Sequence, residues 1–329
     1  MPDAASGSLR WHPPGGAARV HCIGLATLDL VFRTGLLPSG PGKSFATALS
    51  EVGGGPASSA GVCVARLGGQ ATFAGRTGGD AAGTRVREEL QREGVDTQWL
   101  RSFSGVQTSV SAISVDAQGE RAILAYSDPA MPLDADWLAP DLDPGVVLAD
   151  LTWPAGALTL LHRARAQGWP ALLDADRFRY PLEVVREVVA AATDVIFSRH
   201  GLAQLSGHDG IVEGLQTVVG LHRLVAVTDG EAGVFWIEGG ALLCQRPPPV
   251  QVSDTTGAGD AFHGAYALAV ARGETVLDAL RFATAVAAAK CTRPGGRAGL
   301  PDPATLADFL HRHPLPEPQT LALSRRTTP

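Results

Sequence analysis

Residues 254–271 read DTTGAGDAFHGAYALAVA, and the reading of this stretch decides how the rest of the 329-residue chain is taken. Asp254 to Asp260 is a polar turn with two glycines, and the residues after it are almost all apolar, as in a buried helix. The preceding RPPPVQVSD, 246–254, reads as an extended segment ending at the turn. At such a helix entrance the backbone N–H groups of Gly257, Ala258 and Gly259 point at one place and, with the helix dipole, form an anion hole. Neither glycine carries a Cβ to hold off a phosphoryl group. Asp260 falls in the first helical turn, where a carboxylate repels a bound phosphate unless it has a task, such as accepting the proton of an attacking hydroxyl. Charge stabilisation beside a base is what phosphoryl transfer requires. An ordinary Gly-rich turn with Asp at a helix start fits the same spacing.

Upstream, short β-type runs alternate with longer Ala/Leu-rich stretches. Strands are predicted at Arg19–Ile23, Ala71–Ala74, Val146–Ala149, Ala171–Asp174, Val195–Phe197 and Leu224–Thr228. Helices are predicted at Pro56–Leu67, Gly83–Glu93, Gly156–Gln167, Leu182–Ala191, Gly201–Leu205, Ile211–Val219, Ala261–Ala271, Val276–Ala289 and Pro303–Leu310. This rhythm indicates an α/β fold with a parallel sheet sandwiched by helices. One segment departs from it. Thr108–Val115 alternates, Asp116-Ala-Gln-Gly119 supplies a turn with Gly119 at positive φ, and Arg121–Tyr126 returns: a β-hairpin. With the extended Asp29–Leu36 it suggests a small β-sheet lid, from about 29–45 and 105–127, over the carboxyl edge of the sheet. An edge hairpin without function fits equally.

A second glycine cluster, Glu51-Val-Gly53-Gly54-Gly55-Pro-Ala-Ser58-Ser59, opens the first long helix. It allows close approach of a small ligand, or is a tight turn before Pro56. Asp29, just past the first strand, can accept hydrogen bonds from sugar hydroxyls or be a solvated turn residue. Gly42-Lys43-Ser44 mimics the end of a P-loop, but Leu37 stands where that motif needs glycine. GxGxxG also fails, because Ser58 and Phe262 occupy the third glycine positions.

Composition sets the outer bounds. Apolar residues make up 45% of the chain and charged residues 18%, which supports a packed core and excludes whole-chain disorder. With 33 acidic and 27 basic residues, 6% aromatics and no Lys/Arg block, nothing indicates a nucleic-acid surface. Cys22, Cys63, Cys244 and Cys291 lie far apart without a CxxC pair, so free thiols in a reducing cytosol are expected, not disulfides or zinc. No HExxH is present, and no apolar run reaches the length of a signal peptide or a membrane span. A cytoplasmic protein is expected, with a disordered leader at 1–18, one domain at 19–313 and a disordered tail at 314–329.

The chain resembles the PfkB, or ribokinase-like, carbohydrate kinases over nearly all of residues 19–311. The strand with Asp29, the stretch 53–83 (GGGPASSAGVCVARLGGQATFAGRTGGDAAG) and DTTGAGDAFHGAYA at 254–267 carry the resemblance. It implies transfer of the ATP γ-phosphoryl to a sugar hydroxyl with Mg²⁺, on a ribokinase-like sheet under a lid. It implies Asp260 as catalytic base, Gly257, Ala258 and Gly259 as anion hole, and Asp29, Gly53 and Gly54 as sugar contacts. Thr228 and Gly230, with Thr256, Gly257 and Gly259, are implied to hold the nucleotide. Asp254 and Thr256 match positions that often help bind a monovalent cation, usually potassium. Ser58 stands where a sugar-contacting Asn is usual, Thr284 where an adenine-side Asn is common, and Ser198-Arg-His-Gly201 lacks the family's glutamate.

Within the family, EVGGGPA, VLADLTW at 147–153 and CTRPGGRAGLPD at 291–302 look like the sulfofructose kinase subgroup. Lys43 matches a basic residue that faces an anionic sugar end there, whereas Thr152 and Ala125 replace the other two anion-facing residues. A kinase for a small sugar, a ketohexose or a derivative, is therefore expected, dimeric through the lid. A non-catalytic sugar or nucleotide sensor on the same fold is the alternative.

Overall fold

The computed structural model describes residues 18–138, 142–218 and 222–321. Along the chain come β1 (Arg19–Gly24), β2 (Thr27–Arg33), β3 (Ala48–Gly54), α1 (Pro56–Arg66), β4 (Gln70–Gly78), α2 (Ala81–Arg92), β5 (Val95–Phe103), β6 (Val110–Val115) and β7 (Arg121–Tyr126). Next are β8 (Val146–Asp150), α3 (Pro154–Ala166), β9 (Ala171–Ala175), α4 (Leu182–Ala191), β10 (Asp194–Ser198), α5 (Arg199–Ser206), α6 (Ile211–Val218) and β11 (Leu224–Thr228). The described chain closes with β12 (Val234–Glu238), β13 (Ala241–Gln245), α7 (Ala258–Ala271), α8 (Val276–Cys291), α9 (Pro303–Arg312) and β14 (Gln319–Leu321).

The large sheet has the order β14-β13-β12-β11-β10-β9-β8-β1-β4-β5. From β5 to β11 every pairing is parallel. Alternation along a strand splits its side chains between two cores. In β8, Val146 and Leu148 join α1, α7 and α8, while Val147 and Ala149 join α3 and α4. Helices on both faces leave the strand ends as the accessible edge, where ligands bind in such sheets.

Beyond β11 the sheet turns antiparallel, which the predicted parallel sheet did not include. The cause is local: Gly239 and Gly240, both at positive φ, join β12 to β13 in a two-residue hairpin too short for a crossover helix. The expected disordered tail also needs correction. Gln319–Leu321 pairs with β13 as β14, and Gln245 Nε2 donates to Pro316 O at 3.0 Å. The leader, Ala18 apart, and residues 322–329 lie outside the described residues.

The second sheet, β3-β2-β6-β7, is the lid. Its β6–β7 hairpin follows the predicted pattern, with Gly119 at φ 83° and Asp116 Oδ1 accepting from Gln118 N and Glu120 N at 2.9 Å each. β3 was read as a glycine loop, yet Ala48–Gly54 pairs antiparallel with all of β2. The lid therefore delivers the glycine cluster directly to α1.

Candidate active site

Gly257 is the N-cap of α7 at φ 75°, a left-handed conformation that glycine adopts without strain. No side chain caps the helix, so its first-turn amides have no side-chain acceptor. A Cβ at Gly259 would meet nothing within 4 Å, so this glycine leaves open space at the helix mouth. Further along α7, Gly264 lets α1 approach, since a Cβ there would sit 2.5 Å from Ala60 O. That contact holds the α7 entrance against the α1 entrance.

Asp260 faces a cavity of about 130 Å³ between this entrance and the lid. Burial, and next the Asp174 carboxylate, push its pKa up to about 7, against the opposing pull of His263, Arg297 and Ser59. Asp29 lines the same cavity from β2, and its Oδ1 is buried with no hydrogen-bond partner, a place for a ligand hydroxyl. The glycines beside it are glycines for steric reasons. A Cβ at Gly54 would lie 2.1 Å from Asp29 Oδ2, and one at Gly53 would lie 2.1 Å from Arg297 Nη1.

Arg297 anchors this wall from beneath. Its Nη2 donates to Ser58 Oγ at 2.6 Å and Gly54 O at 2.9 Å, and its Nε to Ser59 Oγ at 3.1 Å. Glu89 pairs with Arg297 Nη1 at 3.3 Å and accepts from Gly53 N at 2.6 Å. Asp150, at the end of β8, accepts from Leu25 N and Ala57 N at 3.0 and 3.2 Å and ties β1 to the start of α1. Opposite, Arg121 of the lid donates to Thr255 Oγ1 at 2.7 Å and to Thr256 Oγ1, joining the lid to the anion-hole loop.

A proton acceptor, an open helix N-terminus and an unpartnered carboxylate oxygen thus share one cavity at the sheet's carboxyl edge. The profile described as "pfkB family carbohydrate kinase" matches residues 17–303. The chain belongs to the pfkB family of carbohydrate kinases. This pfkB-family kinase is 32% identical to the fructokinase of Klebsiella pneumoniae over 264 residues, 74% of this chain and 81% of that protein. It is 29% identical to the aminoimidazole riboside kinase of Salmonella typhimurium, over 92% of this chain and 98% of that one. The Arabidopsis thaliana ribokinase solved with ribose and ATP superposes with a TM-score of 0.77 at 25% identity, covering 89% of this chain and 98% of that one. The ribokinase-like fold implied by the sequence motifs is the fold of this kinase.

Of the residues singled out in the sequence, Asp29, Gly53, Gly54, Asp254, Thr256, Gly257 and Asp260 line the one cavity, with Ala258 and Gly259 at its rim in the first turn of α7. Five others, Ser58, Lys43, Thr284, Thr228 and Gly230, are placed elsewhere. Ser58 is fully buried on the inner face of α1, where its hydroxyl donates to Gly54 O at 2.6 Å; Ser59 takes the cavity-facing position. Lys43 is exposed on the loop between β2 and β3, its ammonium 5.9 Å from the Phe45 ring, and Arg33 and Arg297 are the cationic residues at the cavity. Thr284 is buried in α8 with its hydroxyl donating to Leu280 O at 2.8 Å. Thr228 and Gly230 stand at the carboxyl end of β11, outside the cavity lining. Sequence reading missed Arg297, Glu89, Arg121 and Lys290. The one available signal was a lone lysine near the end of the otherwise uncharged stretch 282–291, FATAVAAAKC.

Both implied metal ions can be compared with the residues present. Asp174 Oδ1 is buried without a hydrogen-bond partner near Asp260, which fits a hydrated Mg²⁺ held mainly by nucleotide phosphates. Potassium does not fit. Lys290 Nζ donates to Asp254 O at 2.8 Å and lies 3.7 Å from Asp254 Oδ2, in the place assigned to the cation. Among the described residues no helix is long and apolar enough to cross a membrane.

Proposed function

We propose that this carbohydrate kinase transfers the γ-phosphoryl group of ATP to a hydroxyl of a ketohexose, with fructose the first candidate. The observation that carries this reading is Asp260 at the open entrance of α7, sharing a cavity with the unpartnered Asp29 Oδ1. Asp29 accepts a hydrogen bond from a sugar hydroxyl and orients the ring; Asp260 takes the proton of the attacking hydroxyl. As the new oxygen–phosphorus bond forms, the bond from phosphorus to the β-phosphate oxygen breaks and ADP leaves. The amides at Gly257–Gly259 face the developing charge. Mg²⁺, when bound, neutralises the phosphates; Asp174 is the residue of this chain that would hold its water shell.

A neutral sugar is favoured over a sulfonated or phosphorylated one for two reasons. Lys43 is away from the cavity, and of the two cationic residues in its described lining Arg297 is already engaged by Ser58, Ser59, Gly54 and Glu89, which leaves Arg33 of β2 to face an anionic sugar end. Fructokinase among the relatives agrees with this choice. Thr228 and Gly230, at the end of β11, are proposed for the nucleotide. The lid supports a homodimer, because Leu49, Leu124 and Tyr126 stand exposed on its outer face while its inner face lines the cavity.

ADP release is the test, with ATP and Mg²⁺ and, in turn, fructose, ribose, aminoimidazole riboside, fructose 6-phosphate and sulfofructose. Fructose is expected to give the highest kcat/KM. A preference for either anionic ketose refutes the neutral-sugar reading, and ADP release with none of the five supports the sensor alternative.

A further inference from the structure

We infer that the Lys290 ammonium acts as a built-in monovalent cation, positioning the anion-hole loop where a potassium ion would otherwise bind. The inference rests on the kinase reading above. Lys290 stands in the last turn of α8, and its side chain is completely buried. An ammonium group in such a place is costly unless oxygen atoms surround it. Its partners belong to a single residue: the carbonyl oxygen of Asp254 at 2.8 Å and the carboxylate oxygen Oδ2 at 3.7 Å.

The side-chain oxygens of this loop are engaged as well. Asp254 Oδ1 accepts from Thr256 N at 2.8 Å, and Oδ2 accepts from Gly295 N at 2.9 Å and Gly296 N at 3.3 Å. The Thr255 and Thr256 hydroxyls accept from Arg121. A potassium ion replaces its water shell with several oxygen ligands, and here the Asp254 carbonyl and carboxylate and the two threonine hydroxyls already have donors. A second cation would also lie within a few ångströms of the ammonium and be repelled by it.

The role follows from where Asp254 leads. Two residues after it is Thr256, and then Gly257, the N-cap of α7. Lys290 fixes the Asp254 carbonyl, and the Asp254 carboxylate fixes Thr256 and the 295–296 turn that precedes Arg297. One ammonium thus ties the end of α8 to the phosphate-facing loop and to the turn before Arg297. It adds a positive charge behind that loop without touching substrate, so Lys290 is a positioning residue.

The experiment measures turnover of the full chain with ATP, Mg²⁺ and whichever of fructose, ribose and aminoimidazole riboside it uses fastest. Choline, sodium and potassium chlorides are compared at equal ionic strength. Wild type is expected to give the same rate in all three to within roughly twofold, and Lys290→Met to lose roughly 10²-fold of kcat in choline. Potassium should restore the variant saturably, with its KM for sugar unchanged, a rescue that a merely structural lysine does not show. A wild-type rate that rises by about tenfold or more from choline to potassium overturns the inference. A folded Lys290→Met that keeps full rate in choline, or stays inactive in every salt, overturns it too. If that variant misfolds, the wild-type salt series decides alone. Absence of wild-type turnover in every salt with every sugar refutes the kinase reading instead, and this inference with it.

Discussion

Asp260 is the residue on which the chemistry turns, and its environment gives it a defined pH response. Its pKa, pushed up to about 7 by burial and by Asp174, lies far above the ordinary carboxylate range. As a general base it works ionised, so protonation below that value removes activity and rising pH restores it. The expected kcat/KM is flat above about pH 8 and falls roughly tenfold per unit well below pH 7. A profile that stays flat down to pH 5.5 contradicts this role. Gly53 gives a second prediction at this scale. In Gly53→Ala the new Cβ would lie 2.1 Å from Arg297 Nη1 and displace the guanidinium that supports Ser58 and Ser59. The sugar KM should rise by roughly 10–10²-fold while the KM for ATP changes little, because the wall facing the sugar shifts and the α7 entrance does not. Equal rises in both constants would show that the glycine serves folding alone.

At the scale of elements, the two helix entrances that form the site depend on the crossing of α1 and α7. Gly264 permits it, and Gly264→Ala brings a methyl group to 2.5 Å from Ala60 O. A loss of about 1–3 kcal/mol in unfolding free energy is expected in a denaturant titration; a neutral effect would mean the crossing has slack. The sequence made the helices legible because each carries its own boundary signal: Pro56 opens α1, Thr275 and Asp302 cap α8 and α9 through their side chains, and Gly207 ends α5 in a left-handed turn. The lid hairpin was legible for the same local reason, through Asp116 and Gly119. β3 and β14 were not, because each is defined by its partner strand and not by its own residues: Gly53 and Gly54 look like loop, and Gln319–Leu321 looks like tail.

The site was half-readable on the same principle. The Asp260 turn is contiguous in sequence and stood out. Arg297 meets Ser59 across 238 positions and Lys290 meets Asp254 across 36, so only the fold brings them together. Lys43 stands outside the cavity lining, since a turn beside a lid strand does not determine which way the loop carries its side chain.

For the whole molecule, the lid's outer face sets the expected assembly. Strand register puts Leu30, Ala112 and Leu124 in one row across the sheet with Glu51 at its edge, and Leu49, Phe32 and Ala122 in the next with Ser114 between. Leu124 is 76% exposed, Leu49 57% and Tyr126 43%. An apolar sheet face of this kind is what an interface between two copies covers. Light scattering should therefore give twice the 34.1 kDa chain mass, and Leu124→Asp should reduce it to one. A wild-type monomer at assay concentration would contradict that assembly. Mg²⁺ dependence belongs to the assembled site as well: EDTA should abolish turnover and excess Mg²⁺ restore it, while turnover that persists in EDTA would remove Asp174 from its proposed role.

The most direct measurement compares wild type and Asp260→Asn in steady-state ADP release with fructose and ATP, alongside the affinity of each for a non-hydrolysable ATP analogue. The substitution keeps the shape of the side chain and removes its ability to accept a proton. The account predicts a fall in kcat of roughly 10²–10⁴-fold with analogue affinity nearly unchanged. Turnover by Asp260→Asn close to the wild-type rate would contradict it.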